Sequence, residues 1–291
     1  MSGLFLICAM SCSAVLSIMS TVFGRQNAGS KETATLYSLI VTLSAFVSWG
    51  VLFFRDFEFD AGVIGYSVLY GLLYTVAMLG MFKAYSCGPV SLTAFVKQLS
   101  LIGVAFWGFV FWDTPVQTHV VLGLVLIVVS LALCFKRGKE AKEHVVSLKW
   151  LGFALMLLIG NAGCSIVQKY QQLAFDGRFG NQLMFFGVGF SAITCLVLYL
   201  KGERCGVKDV RKKASLVYPM IAGISSAMLN LLILLMLSAA LSESIIFPGI
   251  AVGGLTLTTV FSLAAYRERL TRSQWLGLGI GVIGLVFLNL T

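Results

Sequence analysis

The sequence LGLVLIVVSL at residues 122–131 returns in altered form at residues 276–285 as LGLGIGVIGL. At this offset of 154, five of the ten positions are identical. Each copy is an apolar stretch that follows a charged corner, at residues 112–115 and 267–270 respectively. The two copies indicate that the chain contains an internal repeat and that each copy ends on the same kind of segment.

Composition places these segments in a membrane. The chain of 291 residues is 58% hydrophobic and 11% charged, whereas soluble domains are about 45–50% apolar and about 25% charged. Stretches of about 20 apolar residues are long enough to cross a bilayer. We expect an all-α integral membrane protein and no nucleic-acid partner, soluble catalytic domain or disulfide-rich module. The ten predicted transmembrane helices are near 3–23, 33–54, 62–83, 90–111, 116–135, 150–169, 181–200, 215–238, 245–265 and 273–290.

A second correspondence joins the first and sixth segments. An offset of 148 positions relates Ser13, Ser17 and Ser20 to Asn161, Ser165 and Gln168, respectively. The i, i+4, i+7 spacing in both triplets puts the three side chains on one helix face. Five segments, a basic loop and five more segments predict an inverted-topology repeat, with a first unit at 1–135, a connecting loop at 136–149 and a second unit at 150–291. Secondary transporters with this plan bind substrate near the bilayer midplane, between the repeats.

Residues 268–279 read ERLTRSQWLGLG and lead into the last segment. With the ten segments and the repeat, this stretch resembles the EamA-like branch of the drug/metabolite transporter superfamily, over essentially the whole chain. The first-half copy of the motif departs from the pattern, because Asp113 stands where a glutamate is expected. The resemblance implies a ten-helix fold with a central cavity that moves small metabolites, amino acids or drugs. It implies no single substrate.

Charge sets an expected orientation in the plasma membrane. Loops after odd-numbered segments hold 17 of the 21 Lys and Arg residues, and loops after even-numbered segments hold three. The positive-inside rule then puts both termini outside the cell. The resembled family usually keeps both termini in the cytoplasm, so the two predictions disagree.

Lys97 is the remaining basic residue, about eight positions into the fourth segment. A Lys at such depth costs about 2.5–3.5 kcal/mol on insertion scales and by default faces the protein interior or water. Thr93 and Ser100 extend the same polar face. We predict that Lys97 lines the cavity and binds an anionic group. The alternative is a structural Lys that reaches an interface or a carbonyl group.

Glu243 is a candidate for proton coupling, although a carboxylate at a helix start also serves as an N-terminal cap. Pro89 stands just before the fourth segment, and Pro248 stands early in the ninth, which corresponds to it in the second half. Gly/Pro interruptions at such places point to a transporter's binding site. The alternative for Pro89 is an ordinary hairpin.

Further polar residues inside the segments are candidates for substrate contacts: Asn161, Gln168, Ser17, Tyr74 and Asn230. Hydrogen bonds between helices are an equal alternative for the amides and hydroxyls. Tyr74 belongs to a stripe with Tyr66 and Tyr70 whose usual role is packing. The spacings Gly249-x-x-x-Gly253 and Gly277-x-x-x-Gly281 predict close helix packing or a homodimer surface.

We therefore expect a secondary active transporter that exports an anionic or zwitterionic metabolite, such as an amino acid or organic acid, by alternating access driven by an ion gradient. A multidrug or cation exporter is the first alternative. A membrane-embedded transferase that holds a metal in the acidic loop at 55–60 is the second. We expect no cofactor, no metal site and no direct use of ATP, because the chain has no phosphate-binding loop.

Overall fold

The computed structural model describes residues 2–27, 33–100, 107, 111, 118–135, 147–201, 216–238, 243–266 and 271–288. Helices account for nearly all of these residues, and no strand occurs among them. The helices are α1 (Ser2–Gln26), α2 (Thr33–Arg55), α3 (Val63–Cys87), α4 (Val90–Gln98), α5 (Thr118–Phe135), α6 (Leu148–Ala174), α7 (Gly180–Lys201), α8 (Val217–Ser238), α9 (Glu243–Tyr266) and α10 (Arg272–Leu288). The all-α prediction is confirmed.

Within the described residues, five helices are long and apolar enough to cross a bilayer: α1, α2, α3, α6 and α7. Shorter apolar stretches of 10–17 residues occur at Val217–Ile233, Ile250–Tyr266 and Trp275–Gly284. The chain is therefore a membrane protein by the length and composition of its helices.

Each predicted segment overlaps one of these helices, with different ends. α6 continues to Ala174 instead of ending near 169, and Gln171 near its end donates a hydrogen bond of 2.7 Å to the carbonyl of Arg178. Of the predicted fourth segment, α4 covers Val90–Gln98, and the structure describes Trp107 and Phe111 as helical. The other positions from 101 to 110 lie outside the described residues.

Contacts between helices link the first half of the chain to the second. α3 packs on α6 and α7, while α8 packs on α1 and α2. α1 packs on α9, and α4 packs on α6. α2 packs on α7, α4 on α9 and α5 on α10.

Small residues allow the closest of these contacts. A Cβ atom at Gly71 of α3 would collide with the carbonyl oxygen of Gly187 on α7. A Cβ atom at Gly223 of α8 would collide with the carbonyl oxygen of Val41 on α2. Glycine permits this backbone approach because it has no side chain.

Glycines from both predicted packing motifs face this chain's own helices. A Cβ atom at Gly253 would meet Met10 of α1, and one at Gly281 would meet Phe95 of α4 and Ser130 of α5. The carbonyl of Gly277 accepts a hydrogen bond from the Ser130 hydroxyl. These three glycines therefore serve packing within the chain.

Candidate functional site

Lys97 lies next to the last residue of α4, and its Nζ atom is buried inside the protein. Within the described part of the chain, no group accepts a hydrogen bond from Nζ. A Lys that reached the membrane surface would expose its amine, so the burial argues against that alternative. A buried ammonium without a partner is costly, and functional sites are where such a cost is commonly retained.

The face of α4 that carries Lys97 lies against α6. One turn before Lys97, Thr93 accepts a hydrogen bond of 2.9 Å from the indole of Trp150. One turn after Lys97, Ser100 accepts a hydrogen bond of 2.7 Å from the Asn161 amide. Lys97 is thus held between two bonded positions along the α4–α6 contact. The Ser100 hydroxyl also donates to the Lys97 carbonyl, at 2.9 Å.

A second polar group joins α3 to α8. The hydroxyls of Tyr74 and Ser226 lie 3.1 Å apart. The amide of Asn230 donates to the Ser226 carbonyl at 2.8 Å. Two predicted site residues, Tyr74 and Asn230, are therefore brought together through Ser226. Tyr74 also stacks on Tyr70, with ring centroids 5.8 Å apart.

The serine stripe of α1 faces the protein interior. Ser13, Ser17 and Ser20 are all buried. Ser17 donates to the Ser13 carbonyl in its own helix at 3.2 Å, while the hydroxyl of Ser20 lies 2.6 Å from that of Tyr37 on α2. The Ser13 hydroxyl faces Gly254 of α9. Ser13 and Ser20 therefore face neighbouring helices, whereas Ser17 bonds within α1.

The remaining predicted residues are not gathered with Lys97. Gln168 is half-buried on α6 and has no hydrogen bond among the described residues. Glu243 is the first residue of α9, and its side chain lies outside the described part. Pro89 stands between α3 and α4, where it starts a helix and breaks none. α9 continues through Pro248.

Two hydroxyl pairs were not predicted. The hydroxyls of Thr75 on α3 and Ser191 on α7 lie 2.9 Å apart, and those of Ser91 on α4 and Ser262 on α9 lie 2.7 Å apart. Serine and threonine within apolar segments are the available signal, but the sequence does not say which of them meet.

The acidic loop between α2 and α3 is held by protein contacts. Gln182 of α7 accepts from the backbone N–H of Asp60 at 2.8 Å and donates to its carbonyl at 2.7 Å. The Asp60 carboxylate accepts from the N–H of Gly62 at 2.7 Å, and Glu58 lies 3.7 Å from Arg178. These contacts connect the loop to Gln182 and Arg178. No set of three potential metal ligands occurs in the part of the chain described above.

Comparisons with known proteins give the fold and no activity. No protein-family model matches the chain. An uncharacterized protein of Haemophilus influenzae is 22% identical over 291 residues, covering 94% of this chain and 93% of that protein. A solved crystal structure, described only as that of a protein, has a TM-score of 0.65 at 11% identity, covering 98% of this chain and 95% of that chain. The likeness to that structure is a shared fold along almost the full length of both chains.

Proposed function

We propose that the protein is a multi-pass secondary transporter of the plasma membrane, built from two inverted five-helix repeats. It moves a small anionic or zwitterionic metabolite by alternating access. The proposal includes a relationship to the EamA-like drug/metabolite transporters, which the sequence resembles. The observation that carries it is a recurrence of the same backbone contacts in the two halves of the chain.

The first recurrence is the contact made by Gly71 and Gly223. These residues are 152 positions apart, and the carbonyls that they approach, of Val41 and Gly187, are 146 positions apart. When each residue is replaced by its counterpart in the other half, the contact between α3 and α7 therefore becomes the contact between α8 and α2. The other neighbours follow the same offset of 146, because Ser44 and Ala45 near Gly223 correspond to Phe190 and Ser191 near Gly71.

The second recurrence uses the offsets found in the sequence. Asn161 bonds to Ser100. An offset of 148 relates Ser13 to Asn161, and an offset of 154 relates Ser100 to Gly254. Ser13 and Gly254 also face each other, since a Cβ atom at Gly254 would collide with the Ser13 hydroxyl. Two spacings taken from different segments thus relate one contact between helices to another, which favours a duplicated architecture over chance similarity of apolar sequence.

The helix contacts follow the same exchange. If α1–α5 correspond to α6–α10, the contact of α3 with α6 becomes that of α8 with α1, and the contact of α1 with α9 becomes that of α6 with α4. Contacts of α2 with α7, α4 with α9 and α5 with α10 map onto themselves. This pattern is expected of two units related by a twofold axis.

Lys97 favours a substrate that carries a negatively charged group. The offset of 154 gives Ala251 as its counterpart in the second half, so the amine belongs to one unit only. A buried amine next to the Asn161–Ser100 bond suits a carboxylate or phosphate and repels a lipophilic cation. The contacts of Asp60 and Glu58 do not favour the transferase alternative, so the cation exporter remains as the competing function.

The test is ligand-induced thermal stabilisation of the purified protein. The panel holds amino acids, organic acids, sugar phosphates and lipophilic cations, and each is measured with wild type, Lys97→Ala and Lys149→Ala, a control at an exposed Lys. A ligand at 100 times its dissociation constant adds about 2.7 kcal/mol. We expect an anion or zwitterion to stabilise wild type and Lys149→Ala but not Lys97→Ala. Stabilisation by cations alone, unchanged in Lys97→Ala, contradicts the anionic substrate and supports the cation exporter.

A stabilising ligand is then tested for movement across a membrane in proteoliposomes. Gradient-dependent accumulation supports transport. Binding without accumulation under any imposed ion gradient contradicts it.

A further inference from the structure

A groove of about 400 Å³ runs between α2 and α7. Its α2 wall consists of Leu39, Leu43 and Phe46, and its α7 wall includes Phe186, Ile193 and Leu196. All the side chains that line it are apolar. The groove shares no residue with the Lys97 region or with the Tyr74–Ser226 contact.

The groove opens on the outer surface of the helix bundle. Leu43, Ile193 and Leu196 line it and are 46%, 58% and 43% exposed. Both helices that form it are long and apolar enough to span a bilayer. At this depth the surrounding medium is hydrocarbon, so an acyl chain is the occupant that the position selects.

The length of the groove suits one lipid tail. From Phe185 to Leu196 the α7 wall covers eleven residue steps, or about 16 Å at 1.5 Å per residue. One leaflet of a hydrocarbon core about 30 Å thick has nearly the same depth. A tail that enters at the Phe185 end can therefore follow the groove to the middle of the bilayer.

Aromatic and charged groups mark the Phe185 end. Phe53 stacks on Phe185, with ring centroids 4.8 Å apart. Two residues later α2 ends at Arg55, which is exposed, and the exposed Asp56 follows. Aromatic rings at such a place are typical of a membrane interface. A guanidinium and a carboxylate therefore follow directly on the turn of α2 that packs against Phe185.

We propose that this groove binds one phospholipid tail and that its mouth selects a phosphoethanolamine headgroup. Arg55 pairs with the phosphate, and Asp56 accepts hydrogen bonds from the primary ammonium. A headgroup with a net negative charge gains only the first contact, and a trimethylated ammonium has no N–H to donate to Asp56.

The test is native mass spectrometry of the detergent-purified protein with phosphatidylethanolamine, phosphatidylcholine and phosphatidylglycerol of identical tails. Leu43→Trp fills the groove, and Val47→Trp adds the same bulk at a 67% exposed position of α2 outside it. We expect one phosphatidylethanolamine per chain, bound at least tenfold more tightly than the other two lipids. Leu43→Trp should weaken this binding tenfold or more, and Val47→Trp should leave it unchanged.

Asp56→Ala, an exposed substitution, tests the headgroup separately, because the three lipids share the phosphate and only the ammonium contact distinguishes them. It should reduce the preference for phosphatidylethanolamine while the tail still binds. Equal binding of the three lipids, or equal loss in both tryptophan variants, would overturn the proposal. So would a mass of two chains that Leu43→Trp converts to one, because the groove would then be an interface between copies.

Discussion

Tyr74 and Ser226 touch through their hydroxyls at 3.1 Å, and they are 152 positions apart, the same spacing that relates Gly71 to Gly223. In a duplicated protein, a contact between two corresponding residues lies on the axis that relates the halves. This hydrogen bond therefore lies on the axis that relates the two proposed repeats.

Tyr74→Phe removes the hydroxyl and keeps the ring. We expect the free energy of unfolding to fall by about 0.6 kcal/mol, the average for hydrogen bonds between membrane helices. A double-mutant cycle with Ser226→Ala, measured by unfolding in mixed micelles, should return a coupling of that size. Tyr66→Phe is the control, since the Tyr66 hydroxyl has no hydrogen bond among the described residues. Additive effects of the two substitutions would contradict the contact.

Gly71→Ala and Gly223→Ala should destabilise to a similar degree, by about 1–3 kcal/mol each, because both place a methyl group against a backbone carbonyl. Gly65 is on the same helix as Gly71, and nothing lies within 4 Å of the position that its Cβ atom would take. Gly65→Ala should be neutral or stabilising by roughly 0.5–1 kcal/mol. Thermal unfolding of the three variants in one detergent checks this order. Gly71→Ala as stable as Gly65→Ala would exclude the close approach.

Lys97→Met replaces the amine with an apolar group on a similar stem. We expect the free energy of unfolding to rise by about 2.5 kcal/mol, since insertion of a Lys at depth costs at least that much, while ligand-induced stabilisation is lost. Urea unfolding in micelles measures the first effect, and the ligand panel measures the second. A less stable variant would mean that Nζ has a structural partner.

Gln182→Leu removes both bonds to the Asp60 backbone. The free energy needed to open the loop between α2 and α3 should then fall by about 1.4 kcal/mol. This corresponds to a tenfold faster amide exchange at residues 57–62. Hydrogen exchange read by mass spectrometry locates the effect, with Asn181→Leu as the neighbouring control. Unchanged exchange in Gln182→Leu would show that other contacts hold the loop.

Added Mg²⁺ or Mn²⁺ should leave the unfolding temperature unchanged at constant ionic strength, because the described residues of this loop do not group into a set of three potential metal ligands. A ligand that binds only the folded state raises stability by mass action. A concentration-dependent rise with either metal would restore the transferase alternative, and Glu58→Gln would then be expected to abolish it.

Much of the fold follows from the sequence, because apolar runs of spanning length have few structural outcomes in a membrane. The approximate position of each described helix could be predicted. Helix ends were less predictable, since α6 continues into polar sequence as far as Ala174. A buried Gln171 supports that extension through a bond that hydropathy does not register.

Partners across the bundle were the part that could not be predicted. Asn161 was predicted to contact substrate or to bond between helices, and its bond to Ser100 depends on how α4 crosses α6. The carboxylates of the acidic loop suggested a metal, whereas its contact with Gln182 could not be predicted because Gln182 lies 122 positions away in the chain. The glycine motifs alone do not indicate whether they pack against helices of the same chain or against a second copy. In the structure, Gly253 faces Met10 and Gly281 faces Phe95 of the same chain.

The unequal pair Lys97 and Ala251 has an electrical consequence. In the proposed alternating-access cycle, most of the movement of one half is repeated by the other, but a charge present in only one half has no counterpart. One elementary charge that crosses the full membrane potential is worth about 2.3 kcal/mol per 100 mV. If Lys97 is charged during the exchange, the membrane voltage favours one of the two open states, even before any substrate is bound.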